Sequence, residues 1–157
     1  MPRQARIITE NGCYHVITRG NQKQLVFKEL SDYEMYLSIV SKYKRKYNFK
    51  LYSFCLMPNH IHLLLEVNNP YFLKKVMHGL NLSYTIYFNS KYDKVGHLWQ
   101  DRFKSKIIQK DEYLAECMKY IETNPMRASL AKNITTWRWS SYVFKLENNS
   151  LIDELTI

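Results

Sequence analysis

The sequence predicts an α+β domain: a four-stranded antiparallel sheet in the split βαβ, ferredoxin-like sandwich, with one added helix after the fourth strand. Three observations predict it. Short β-branched and aromatic runs alternate with stretches of helical periodicity in the order β-α-β-β-α-β-α. Two of those runs are separated only by Pro58-Asn59, which leaves room for nothing but a tight hairpin. The chain has 157 residues, 46% of them hydrophobic, which is one core's worth of material.

The first strand is predicted over Cys13 to Arg19, and Gly20-Asn21 breaks it. Ser31 to Tyr47 has the spacing of a helix, with Tyr33, Tyr36, Leu37, Val40, Tyr43 and Tyr47 on one stripe. Ser31-Asp32-Tyr33-Glu34 has the form of a capping box at its start. Lys50 to Met57 and His60 to Val67 are the hairpin strands. Pro70 opens a second helix, with a stripe of Leu73, Val76, Met77, Leu80, Tyr84 and Tyr87. Phe103 to Gln109 is the fourth strand. Asp111 caps a last helix that runs to about Asn124 and is stopped by Pro125. The aromatic and then acidic end, Trp137 to Ile157, is not assigned to any element. The whole chain, 1–157, reads as one domain, with a core over about 7–145 and a tail over 146–157.

Composition narrows the function. Lys and Arg outnumber Asp and Glu by 23 to 14, giving a net charge of +9, so a polyanion such as nucleic acid is the expected partner. No run is apolar enough to span a membrane. The basic residues do not lie along one amphipathic terminal helix, which argues against a membrane surface. Met1-Pro2-Arg3-Gln4-Ala5-Arg6 is charged without an apolar stretch, so no signal peptide is expected. Cys13, Cys55 and Cys117 are widely spaced and odd in number; they read as reduced, buried thiols of a cytoplasmic protein. No G-x-x-x-x-G-K-[ST] segment, the loop that cradles nucleotide phosphates, is present.

His60-Ile61-His62 lies inside the third strand. Side chains alternate there, so Ile61, Leu63, Leu65 and Val67 form the core face, and His60, His62, Leu64 and Glu66 share the other. Imidazoles two strand steps apart, roughly 6–7 Å at Cα, can converge on one divalent ion. Surface histidines, or histidines packed as aromatics, give the same pattern. Glu66 is either a base or fourth ligand beside them or a solvated strand end. His15, on the strand expected beside the third, either approaches the pair or packs in the core.

On the last helix, Leu114, Cys117, Met118 and Ile121 form the apolar stripe. Tyr113, Tyr120 and Asn124 form a second stripe about 90° away, counted at about 100° per residue. A helix packed on the open sheet face brings the Tyr120 phenol and the Asn124 amide toward the histidines. With 13 tyrosines in the chain, a half-buried packing role for Tyr120 is the competing reading.

Met57-Pro58-Asn59-His60-Ile61-His62-Leu63-Leu64 resembles the His-hydrophobic-His (HUH) motif of single-tyrosine transposases. Four further segments strengthen the likeness: Tyr14-His15-Val16 with Arg19-Gly20-Asn21, Trp99-Gln100-Asp101-Arg102-Phe103, Tyr120 to Ala128, and Trp137-Arg138-Trp139-Ser140-Ser141-Tyr142. Together they resemble the REP-associated branch of the IS200-like transposases, over roughly 7–145. The resemblance implies cleavage and rejoining of single-stranded DNA near hairpins, without ATP, in the bacterial cytoplasm among nucleoid DNA. It implies Tyr120 as nucleophile, forming a 5′-phosphotyrosine, and His60 and His62 as ligands of Mg²⁺ or Mn²⁺. Asn124 stands where related transposases use Gln as a third ligand, a departure from the pattern. One branch of the family swaps its tyrosine helix between the subunits of a homodimer, whereas the REP-associated branch tends to be monomeric.

On that reading DNA is held by Arg19, Asn21, Lys23, Arg102, Lys104, Lys106 and Arg127, with Trp99 and Phe103 stacking on unpaired bases. A domesticated relative that binds hairpin DNA without cutting it is the alternative. A relaxase is disfavoured, because the chain has no room for a helicase and no adjacent tyrosine pair. An RNA-recognition motif is disfavoured by the lack of an aromatic RNP segment.

Overall fold

The computed structural model describes residues 12–110 and 112–155. Four antiparallel strands form one sheet in the order β2-β3-β1-β4. They are β1 (Gly12–Arg19), β2 (Lys50–Met57), β3 (His60–Val67) and β4 (Lys104–Ile108). The helices are α1 (Leu30–Tyr47), α2 (Phe72–Tyr92), α3 (Glu112–Glu122), α4 (Asn124–Arg127) and α5 (Ser141–Leu146). This is the ferredoxin-like order, with the two central strands adjacent and the hairpin β2-β3 on one side.

Alternation along the strands divides the core in two. Ile61, Leu63, Leu65 and Val67 face α1 and α2, where they meet Tyr36, Val40, Val76, Leu80 and Tyr84 in the main cluster. The opposite sheet face carries Cys13, Tyr52, Cys55, Met57 and Leu64, which pack against Leu114 and Ile121 of α3. The prediction that α3 covers the second face therefore holds. Its stripe is narrower than predicted, since Leu114 and Ile121 are buried while Cys117 and Met118 are only partly so. The three thiols are free, with Cys13 and Cys55 buried and Cys117 partly so.

Local signals explain most boundaries. Helix α1 begins one residue before its predicted start, with Glu29 as N-cap. The carboxylate that closes the cap belongs to Asp32, not Glu34: it accepts the backbone N–H of Lys28 at 2.9 Å and of Glu29 at 3.2 Å. Asp32 is fully buried and also accepts Lys91 Nζ and the hydroxyls of Tyr87 and Tyr92, which ties the start of α1 to the end of α2. These donors hold its carboxyl down at about 2 despite the burial that opposes it. Helix α2 starts at Phe72, two residues after Pro70, because 68–71 forms a turn. Asp111, the predicted cap of α3, lies outside the described residues.

The last helix differs from prediction in one respect that matters for the site. It ends at Glu122. Pro125 does not terminate a continuous helix at that point but sits in the first turn of α4, with Thr123 at φ −93°, ψ 0° between the two. A proline is tolerated there because its missing N–H is one the helix start leaves unpaired anyway.

The unassigned C-terminal segment straps the outer edge of β2. Cys55 bridges Ser140, Leu56 N–H donates to Trp139 O at 2.9 Å, and Trp137 Nε1–H donates to Leu56 O at 3.0 Å. Trp139 stacks on Tyr33 at 5.0 Å between ring centroids. Asp153, in the predicted tail, pairs with the backbone of Leu51 and with Lys44. An edge strand is thus covered, not left open.

Gly20 ends β1 where its N–H meets Asn59 O of the hairpin at 2.8 Å. A Cβ there would lie 2.4 Å from the backbone oxygen of Gln24. Gly20→Ala is expected to destabilise the fold by about 1–3 kcal/mol, lowering Tm by roughly 2–12 °C; a thermal melt that matches wild type would show that the loop yields freely.

Candidate active site

The open face at the β1/β3 centre gathers three imidazoles. In the β1–β3 register, Ile17 pairs with His62 and His15 with Leu64, so His15 sits diagonally across from His62. His15 Nε2 lies 2.9 Å from His62 Nδ1, and the rings stack at 5.2 Å. His60 is one alternation step along β3, its ring 5.1 Å from that of His62. Sequence left His15 between two readings; the structure puts it at the site. The register of β1 against β3 was the signal that decides it, and only the pairing reveals that register.

Helix α3 adds the phenol. The Tyr120 ring stands 6.2 Å from His15 and 6.4 Å from His62, edge-on to both, and is half exposed. Asn124 follows across the Thr123 break, and its amide Nδ2 is 2.6 Å from His62 Nε2. One chain therefore supplies all of these groups. Arg127 closes the end: its guanidinium lies 4.0 Å from the Tyr120 ring centroid, and it donates to Tyr120 O and Thr123 Oγ1, each at 2.5 Å. Arg127, predicted to hold DNA, is thus first a brace at the Tyr120 ring.

Burial keeps the imidazoles neutral. Desolvation pushes His60 down to about 4, with the Arg19 cation adding to it. It pushes His62 down to about 3, helped by His15, His60, Arg19 and Arg127. His15 is lowered by desolvation and by Lys106. A neutral imidazole is the form that offers a lone pair to a metal.

The hydrogen bonds select the tautomers consistent with ligation. His60 Nδ1–H donates to Asn59 Oδ1 at 2.7 Å, which leaves Nε2 unprotonated. His62 Nδ1–H donates to His15 Nε2, which leaves its own Nε2 lone pair for the Asn124 amide. Outer acceptors that fix ring orientation in this way are the usual support of a metal-binding histidine. Among the described residues no three His, Cys, Asp or Glu side chains close into a metal cluster. The His60 and His62 Nε2 lone pairs are the groups that could hold a divalent ion, and Asn124 stands beside them with its amide nitrogen on His62.

Other predicted positions divide. Arg19 is exposed beside His60, its Cα partner across the strands, and Lys104 and Lys106 are exposed on the edge strand β4. Asn21 is partly buried in a short 3-10 turn, with its N–H on Leu98 O at 2.7 Å. Arg102 is exposed and lines a groove of about 710 Å³ with Lys74, His78 and Leu82 of α2. Trp99 and Phe103 correct the sequence reading. They are 8% and 7% exposed and belong to the main core cluster, and Trp99 Nε1–H donates to Asn81 O. Rings so covered offer no stacking platform; they hold the 93–103 loop onto α2.

Glu66 is a second correction. It is 8% exposed, accepts the Tyr52 hydroxyl at 2.8 Å and pairs with Lys110. It lies four residues along β3 from His62, roughly 13 Å, so it is neither a ligand nor a base for the histidines.

A ferredoxin-like sheet with a His-hydrophobic-His pair on its open face, and a tyrosine from the following helix over that pair, defines an HUH-type tyrosine transposase domain. The chain belongs to the IS200-like transposases: the family's model, described as "Transposase IS200 like", matches residues 9–124. A Haemophilus influenzae protein described as a REP-associated tyrosine transposase is 26% identical over 159 residues, covering 90% of this chain and 86% of that one. A REP-associated tyrosine transposase solved bound to a REP hairpin superposes with a TM-score of 0.78 at 18% identity, over 100% of this chain and 94% of that one. A transposase structure from Deinococcus radiodurans superposes with a TM-score of 0.50 at 18% identity, over 78% and 97% of the two chains. Among the described residues no helix is long and apolar enough to cross a membrane.

The lowered histidines make stability depend on pH in a defined sense. An unfolded histidine takes up a proton near pH 6.5, whereas folded His60 and His62 resist protonation down to about 4 and about 3. The unfolded chain therefore binds more protons below 6.5, and stability falls as pH drops. In chelator, Tm is expected to fall from pH 7 to pH 5, before carboxylates titrate, and His62→Gln is expected to flatten that slope. Parallel slopes for the two proteins would contradict the assignment.

Proposed function

We propose that this protein cuts and rejoins single-stranded DNA next to a hairpin, with Tyr120 as nucleophile and a divalent ion, Mg²⁺ or Mn²⁺, at His60, His62 and Asn124. The supporting observation is the convergence of the Tyr120 phenol on His62 and His15, with Asn124 on the same imidazole. The REP-hairpin complex of the structural relative supports hairpin DNA as the substrate class.

The chemistry follows from the groups present. Tyr120 Oη attacks phosphorus in line, so the Oη–P bond forms as the P–O3′ bond breaks. The phenolic proton leaves to water and the departing 3′-oxygen takes one up. The product is a 5′-phosphotyrosine and a free 3′-OH, and a 3′-OH on a new end reverses the step. The phosphodiester energy is kept in the covalent link, so no nucleotide cofactor is needed. A free phenol with its ordinary pKa near 10 is only about 0.1% ionised at neutral pH, a barrier contribution of roughly 4 kcal/mol. A bound divalent ion would supply Lewis-acid charge to the phosphate oxygen and steady the leaving 3′-oxygen. The Arg127 cation against the Tyr120 ring adds positive charge where the phosphate must approach.

DNA runs over a positive surface. Arg19, Lys104 and Lys106 frame the histidines on two neighbouring strands, and Arg102 and Lys74 line a separate groove beside α2. Such contacts should weaken steeply with salt. The protein works on nucleoid DNA in the cytoplasm, and a site complete within one chain suits action as a monomer.

The test is covalent capture of a labelled hairpin with a single-stranded flank in Mn²⁺. Wild type and Tyr113→Phe are expected to form a protein–DNA adduct, Tyr120→Phe none, and His62→Ala on the order of 100-fold less or lower. Chelator should abolish the adduct and Mn²⁺ restore it. An adduct from Tyr120→Phe would exclude the nucleophile. Tight hairpin binding by wild type with no adduct in any divalent ion would establish a binding protein instead.

A further inference from the structure

Helix α3 carries a buried carboxylate two residues from Tyr120 that the strand-transfer chemistry does not use. Glu122 is 7% exposed. Its Oε1 accepts Lys145 Nζ at 2.5 Å, Ser141 Oγ at 2.6 Å and Ser53 Oγ at 3.3 Å. Ser141 Oγ in turn accepts the backbone N–H of Phe54 at 2.9 Å and lies 3.0 Å from Ser53 Oγ. A carboxylate withdrawn from water persists only where charge and donors compensate it. Here they come from β2 and from the C-terminal strap with α5.

The placement has a geometric meaning. Counted along the helix at about 100° per residue, Tyr120 and Glu122 flank buried Ile121 on opposite sides. In the sheet order β2-β3-β1-β4, Glu122 reaches the β2 edge and Tyr120 reaches the β3/β1 centre. The apolar stripe of Leu114 and Ile121 holds α3 against the sheet along one line, and Glu122 adds a polar attachment to one side of that line. Even the strand is adapted to it: the register of β2 against β3 shifts between Leu51 and Ser53. That irregularity sends Tyr52 into the α3 cluster and lets Ser53 meet Glu122.

We propose that Glu122 is a positioning residue, and that Lys145, Ser141 and Ser53 act through it as a clamp by which the C-terminal strap holds the Tyr120 hydroxyl over the histidine pair of the same chain. The inference rests on Tyr120 as nucleophile for its consequence in catalysis. The clamp itself is testable without DNA.

Two measurements are made on the full chain. The first is single-turnover adduct formation at saturating hairpin DNA; the second is the NOE between Tyr120 and His62 ring protons in metal-free protein. Glu122→Ala is expected to slow the adduct step by about 10–100-fold, the scale of a displaced reacting group, with DNA affinity unchanged and the NOE lost. Glu122→Gln, which keeps an acceptor for Ser141 and Lys145, is expected to lie between Ala and wild type on both measures. If Glu122→Ala does not fold, Lys145→Met and Ser141→Ala carry the same comparison with Glu122 in place. A wild-type rate and NOE in the variants overturn the clamp, as does a rate lost in proportion to Tm with the NOE intact. Loss of the NOE in Glu122→Ala, with no adduct from wild type, would leave the clamp standing and remove the strand-transfer reading.

Discussion

The His62 imidazole is the point on which the site depends. It is 3% exposed and both of its nitrogens are engaged, Nδ1 with His15 and Nε2 with the Asn124 amide. Those two contacts join three separate stretches of chain: the first strand, the hairpin strand and the turn after the tyrosine helix. Because burial removes the water that would stabilise an imidazolium, the ring stays neutral, and a neutral ring can hold only one proton. That proton is committed to the His15 side, so the lone pair faces Asn124 and the open surface. The position of that one hydrogen leaves the Nε2 lone pair on the Asn124 side.

The rest of the architecture keeps α3 where that ring needs it. Strand alternation sends the aliphatic half of β3 under α1 and α2 and the histidine half outward, so a single strand serves both layers. The outward face would be an ordinary wet surface without a cover. Leu114 and Ile121 provide one, and Glu122 ties it to the strap along β2. The Tyr120 ring is left half exposed beside the imidazoles. Arg127 holds the backbone at that end through Tyr120 O and lies against the Tyr120 ring.

Much of this was legible in the sequence because it depends on short periodicities. The β2-β3 hairpin has its predicted bounds, since two residues cannot connect strands in many ways. The division of β3 into two faces follows from a period of two. The tyrosine stripe of α3 follows from a period of 3.6. What remained hidden depends on pairing at a distance. His15 and Glu66 have similar sequence credentials, yet strand register puts one against His62 and the other against Tyr52 and Lys110. Trp99 and Phe103 suit stacking on unpaired bases by residue type; the same rings also suit a loop that must be pinned to a helix, and the packing places them in the core. Asn124 reached its place by a route that periodicity misstates. Helical spacing puts it one turn beyond Tyr120 on a continuous helix, but it lies past a break at Thr123. The strap over β2 has no periodic signature at all.

Paramagnetic broadening by Mn²⁺ tests most directly whether paired imidazoles and the phenol share one face. With ring-labelled tyrosine, the account predicts that substoichiometric Mn²⁺ broadens the Tyr120 signal before that of exposed Tyr71, and that His60→Ala with His62→Ala abolishes the effect. Mn²⁺ that binds the histidines yet leaves Tyr120 sharp, or that broadens Tyr120 in the double variant as it does in wild type, would contradict it.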